Sequence, residues 1–157
     1  MDDFALHALQ SGPKIVERVL RVFPHDRLDD RVDHDRFTAR EVVAHLADYE
    51  QTVLDRIRVA NISPGREVPN YDPDAHAAEH NFADKGVFHE AEVFESRRGM
   101  TIEYLKELTT ADYDKSFKRS DGTEFTIRDY VSHLMKHDLN HLEQISRYLA
   151  TEVATIT

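Results

Sequence analysis

Residues 130–145 read YVSHLMKHDLNHLEQI, and the reading of that stretch decides the fold. At about 100° per residue, Val131, Leu134, Leu142 and Ile145, with Ile127 before them and Leu149 after, gather on one side of an α-helix. The pattern predicts one amphipathic helix from Thr126 or Ile127 to about Ala150. It also carries His133, His137 and His141 at intervals of four. Residues four apart share a helix face, so a His-x3-His pair can grip one divalent ion between two imidazoles. Measured from the centre of the apolar stripe, His141 lies about 40° away, His137 about 80° and His133 about 120°. His137 with His141 is therefore the better-placed pair, with His133 leaning toward solvent or a neighbouring helix. Asp138 falls almost on the stripe's centre, where an unpaired carboxylate is costly, and it calls for a partner such as an imidazole N–H.

Working outward, a second helix begins at Thr38, whose hydroxyl can cap the first turn while Glu41 reaches back to close a capping box. Val42, Leu46, Tyr49, Val53, Ile57 and Ala60 form its core stripe, which ends near Asn61. His45 sits about 60° from Val42, a rim position, and supplies the third imidazole. Asp48 and Tyr49 are the nearest groups to orient it, although Tyr49 also fits the core. A first helix covers about Asp3 to Phe23 and is expected to break or bend at Ser11-Gly12-Pro13. A third covers about Phe88 to Leu108, and within it Arg97-Arg98 reads as an exposed pair among glutamates.

The link from 62 to 87 contains Pro64, Gly65, Pro69 and Pro73, with a short helix expected over Asp74 to Phe82. Links of this length usually cross between ends of a domain or carry function. Nothing reads firmly as a strand, although residues 115–119 and 124–126 flank the turn Ser120-Asp121-Gly122-Thr123 and can pair briefly. The expectation is an all-α, four-helix bundle with a long crossover connection between helices 2 and 3, one domain over 1–157, with 151–157 a frayed tail.

Composition narrows the function. A formal charge of -10, with no segregated basic patch, argues against nucleic acid. No apolar run is long enough to span a membrane, and the opening Met1-Asp2-Asp3-Phe4 does not resemble a signal peptide, so the expected location is cytoplasmic. Cysteine is absent, which excludes disulfides, thiolate ligands and a cysteine nucleophile. Any metal must be held by imidazole and carboxylate. His76 and His80 lie four apart but in the uncertain link and read as surface residues, as do His7, His25, His34 and His89.

The segment Phe37-Thr-Ala-Arg-Glu-Val-Val-Ala-His45-Leu-Ala-Asp48 and the segment His137-Asp-Leu-Asn-His141-Leu-Glu-Gln-Ile145 resemble, in this order and spacing, the DinB/YfiT-like family of metal-dependent enzymes. Asp72-Pro-Asp-Ala and the region from Phe94 to Arg98 are similar to one branch of it. The chain departs from the pattern in having Phe37 where a tryptophan is usual and Glu143 where many relatives carry glycine. The resemblance implies a four-helix bundle with a crossed connection and a three-histidine metal site on His45, His137 and His141. It implies zinc or nickel as the divalent metal ion, a homodimer, and chemistry on a small-molecule substrate that includes low-molecular-weight thiols. Three imidazoles leave a coordination position open, at which water or a thiolate can be activated. Two functions follow: a metal-dependent enzyme of hydrolase or thiol S-transferase type, or a non-catalytic helical bundle that binds metal or a partner without turnover. No general acid or base stands out.

Overall fold

The computed structural model describes residues 1–156, with side chains through Thr151. Five helices and one hairpin follow in order. Helix α1 spans Asp3–Val22, capped by Asp2, whose side chain accepts from the Ala5 amide, and it stops ahead of Pro24. Helix α2 spans Ala39–Ile62 behind the capping box of Thr38 and Glu41. The crossover contains α3, Pro73–Glu79, started by Asp72 at the N-cap and Pro73 in the first turn. Helix α4 spans Val87–Lys106, and α5 runs Ile127–Ile156.

The structure refines the sequence reading in several places. The short crossover helix ends at Glu79, and Phe82–Asp84 form a separate 3-10 turn, because Asn81 adopts a left-handed conformation. Strands β1, Ser116–Lys118, and β2, Glu124–Thr126, do pair, with Phe117 opposite Phe125. Phe117 is fully buried against Ile127 and Tyr130, so packing stabilises the brief pairing that the flanking residues suggested. Helix α5 runs to Ile156, and the expected frayed tail, 151–157, lies, apart from Thr151, outside the residues whose side chains are described. Among the described residues no helix is long and apolar enough to cross a membrane.

Helix α1 packs on α4 and α5, and α2 packs on the same two. Helices α1 and α2, and likewise α4 and α5, therefore lie diagonally across the bundle, whereas α2 and α4, the two ends of the long crossover, lie side by side. The core falls into two apolar clusters. Leu9, Val53, Ile57, Ile102, Leu105 and Leu134 belong to one; Val16, Val42, Val43, Phe94, Ile145 and Tyr148 belong to the other.

Between the clusters lies a polar layer centred on Arg98, which is 1% exposed. The expectation of an exposed Arg97-Arg98 pair is corrected here: the α4 position that looked solvated in a glutamate-rich helix faces two acids across the bundle. Its Nε and Nη2 donate to Glu50 at 2.9 Å each, and Nη2 and Nη1 donate to Asp138 at 2.9 and 2.7 Å. The second Nη1 hydrogen goes to the Leu9 carbonyl at 2.9 Å, so all five donors of the guanidinium are used. Burial disfavours the charge, but Glu50 and Asp138 outweigh it and raise the Arg98 pKa.

This layer also explains α1, which is continuous through Ser11-Gly12-Pro13, where a break or bend was expected. Pro13 has no N–H to offer the carbonyl four residues earlier, and that carbonyl is Leu9. Arg98 supplies the missing donor. Gly12 lets α5 come close, since a Cβ there would lie 2.7 Å from Asp138 Oδ2. Asp138 thus takes its compensation from a guanidinium and not from an imidazole as expected.

Gly12→Ala is expected to cost about 1–3 kcal/mol in urea unfolding. Gly99→Ala, where a Cβ meets nothing within 4 Å, should shift stability by less than about 1 kcal/mol, in the stabilising direction. Arg98→Met, which strands two buried carboxylates, should lose about 3–5 kcal/mol.

Candidate functional site

Helix α2 and helix α5 bring His45, His137 and His141 together. The ring of His45 lies 5.2 Å from that of His137 and 4.8 Å from that of His141, and the last two are 4.5 Å apart. One ring nitrogen from each lies within 4.8 Å of the others. His45 is 3% exposed, deeper than the rim position its helical angle suggested, because Phe37 and Tyr71 cover it from segments flanking α2. His133 stays outside the group, 6.4 Å from His137, stacked on Tyr130.

The surrounding hydrogen bonds settle which nitrogens face inward. Tyr71 donates to Asp48 Oδ2 at 2.9 Å, so its oxygen accepts the Nδ1 proton of His45 at 3.2 Å. Tyr148 has only acceptors before its own proton, the Phe37 carbonyl at 2.8 Å and Asp33 at 3.4 Å. It must therefore accept from Gln144 Nε2 at 2.7 Å, which turns Gln144 Oε1 toward His141 Nδ1 at 3.0 Å. His45 and His141 both carry their proton on Nδ1, leaving Nε2 bare. His45 Nε2 stands 3.1 Å from His137 Nε2, while the buried Nδ1 of His137 has no partner among the described residues. Bare imidazole nitrogens this close repel unless a proton or a cation lies between them. The donor set fits a divalent ion.

Electrostatics points the same way. Burial, then the neighbouring His141, lowers the His45 pKa to about 3 against the pull of Asp48. Burial, then His141 and His45, lowers His137 to about 2, and burial lowers His141. The imidazoles are neutral at pH 7, the form that ligates. Tyr71 is raised by burial and by Asp48, so it stays a hydroxyl and keeps donating.

The cluster opens on a cavity of about 730 Å³ that also reaches Tyr49, Tyr71 and Arg56. Arg56 is 7% exposed, yet its contacts are neutral: the Tyr130 hydroxyl at 3.3 Å, the Pro69 carbonyl at 3.2 Å and the Phe117 ring. Arg36 and Arg119 also border the cavity.

His76 and His80 lie at the surface as the sequence reading had them, His80 exposed and His76 partly so, but they are not isolated there. Their Nδ1 atoms meet Asp48 Oδ2 at 2.8 Å and Oδ1 at 3.0 Å. Asp48, named as a group that orients His45, does so through Tyr71. Tyr71, Arg56 and Arg98 escaped the sequence reading as site groups. Tyr71 lies in a proline-rich link with no periodicity, and a guanidinium's partner cannot be read from helix phase. Gln144 had a visible signal, its i,i+3 spacing from His141.

The chain is similar in fold to several solved structures. YfiT from Bacillus subtilis, described as a probable metal-dependent hydrolase with an unusual four-helix bundle topology, aligns over 93% of this chain and 84% of its own, with TM-score 0.88 and 19% identity. The mycothiol-dependent maleylpyruvate isomerase aligns over 91% of this chain but only 60% of its own, with TM-score 0.73 and 13% identity. A DinB-like protein from Bacillus subtilis aligns over 96% and 92%, with TM-score 0.62 and 15% identity. No curated protein matches the chain by sequence. The model of the DinB superfamily matches residues 8–145, nearly the whole bundle from α1 to Ile145, and the chain belongs to that superfamily.

Proposed function

We propose that this chain is a metal-dependent enzyme acting on a small molecule, with a divalent ion held by His45, His137 and His141. The observation that carries the reading is the convergence of three neutral imidazoles, two with proton positions set by Tyr71 and Gln144, at the wall of an open cavity. A divalent ion held there supplies Lewis-acid activation of water or of a low-molecular-weight thiol. The described relatives support both chemistries, hydrolysis for YfiT and thiol dependence for the isomerase.

The chain's own residues prepare the site. Asp48 holds Tyr71, Tyr71 holds His45, and Gln144 holds His141, so two rings are fixed before any ligand arrives. Arg56 brings a guanidinium to the cavity whose partners among the described residues are neutral, which suits a substrate bearing an acidic group. The same reading takes zinc or nickel as the ion, a homodimer as the assembly and the cytoplasm as the location.

Metal analysis of protein purified without an affinity tag is expected to lose one equivalent on His137→Ala and the same equivalent on His141→Ala, with helical content retained. The loaded protein should then turn over either an ester or amide with water, or an electrophile with an added low-molecular-weight thiol. Metal bound at these histidines with no turnover in either screen would reduce the chain to a binding module.

The pH dependence follows from the depressed histidines. The unfolded chain binds protons below about 6.5, whereas folded His45 and His137 stay neutral down to about 3 and 2. The unfolded state therefore gains protons first. Stability of the metal-free protein should be full above pH 6.5 and fall as the pH drops from there toward 3, by roughly 1 kcal/mol per pH unit for each group. His137→Gln should flatten the fall in urea titrations between pH 7 and 5.

A further inference from the structure

We propose that Asp48, His76 and His80 form a second site for a divalent cation, beside the three-imidazole cluster and independent of whether that cluster is catalytic.

The residues are assembled by two local features. Asp72 caps α3 by accepting from the Asp74 and Ala75 amides, and Pro73 pre-sets the first turn. The helix starts at a defined residue, so His76 and His80, four apart, share a face. That face meets α2 at Asp48, whose two carboxylate oxygens each receive one Nδ1, at 2.8 and 3.0 Å. The two rings lie 5.2 Å apart, edge to face. One donor atom from each of the three residues lies within 4.8 Å of the others.

Two imidazoles and one carboxylate are a donor set for zinc and neighbouring divalent transition ions. Bonds of about 2.0–2.2 Å to such an ion need only small side-chain adjustments from these separations. Each imidazole keeps a single proton by carrying it on Nε2 once Nδ1 is bound, so no proton need be lost. The carboxylate leaves the occupied site with a net charge of about +1, and water can complete the coordination. Access is open: a cavity of about 610 Å³ borders Asp48 and His80, with His89 and Glu90 on its far wall. His80 is the most exposed of the three, its side chain 43% accessible.

The placement gives the ion a role. His76 and His80 belong to the crossover, Asp48 to the bundle, so a bound cation would clamp the crossover onto α2. The clamped segment includes Tyr71, Pro73 and Asp74, which wall the larger cavity. Asp48 Oδ2 also accepts the Tyr71 hydroxyl that orients His45. Loading of the second site and the set of the first imidazole thus share one carboxylate.

The test is a cobalt(II) titration of the full-length, untagged, metal-stripped protein, read by visible absorption and calorimetry. Wild type is expected to bind two equivalents, the His76→Ala/His80→Ala double variant one, and His137→Ala one. Hydrogen exchange over residues 73–84 should slow on cobalt loading in wild type and in His137→Ala, but not in the double variant. Wild-type stoichiometry and protection in the double variant would overturn the proposal, as would a single equivalent in wild type that His137→Ala abolishes. An equivalent that survives His137→Ala and disappears in the double variant upholds it, even if the three-imidazole reading fails. His80→Gln, at an exposed helix end, serves the same comparison should the double variant not fold.

Discussion

A guanidinium buried at the middle of a helical bundle tolerates almost no disorder around it, and Arg98 sets that condition for the whole chain. Its charge costs several kcal/mol to desolvate, and the cost is met only when Glu50 and Asp138 are both in register and the Leu9 carbonyl is at hand. Those four groups come from four different helices. Each helix also passes from one apolar cluster to the other at this level, so the layer fixes how far each slides along its neighbours. Hydrophobic contacts alone would tolerate a shift of one turn; five directed hydrogen bonds would not.

The imidazole cluster depends on this register. His137 precedes Asp138, and Glu50 follows His45 by five residues, so the ion pair that holds α2 and α5 together also sets the distance between the rings. Arg98 adds its charge to the groups that keep His137 neutral, after burial and the other histidines. Structural and chemical demands coincide at one level of the bundle: a buried polar layer on one side, an open cavity on the other, and nitrogen lone pairs between them.

The crossover closes the arrangement. A link of this length has no apolar periodicity; Val68 and Phe82 anchor it in the core, and polar contacts add to them: Tyr71, His76 and His80 to Asp48, and Arg56 to the Pro69 carbonyl. It covers His45, which explains why a histidine placed at the rim by helical phase is buried in fact. The same contacts place Tyr71 in the wall of the cavity.

Helix count, the Thr38 cap, the crossover and the pairing of His137 with His141 to the exclusion of His133 were all legible from the chain, because each depends on spacing along a single helix. Asp138 was recognised as needing a partner, yet the partner was assigned wrongly. Burial of a charge can be read from helical phase, whereas its counter-charge sits on another helix whose register the phase does not contain. Arg98 among surface glutamates, the uninterrupted α1 despite Pro13 and the gathering of His76 and His80 on Asp48 share that cause. Local periodicity determines which face of each helix turns inward; only the packed bundle decides which residues meet there, because contacts between helices depend on relative rotation and translation that no single segment encodes.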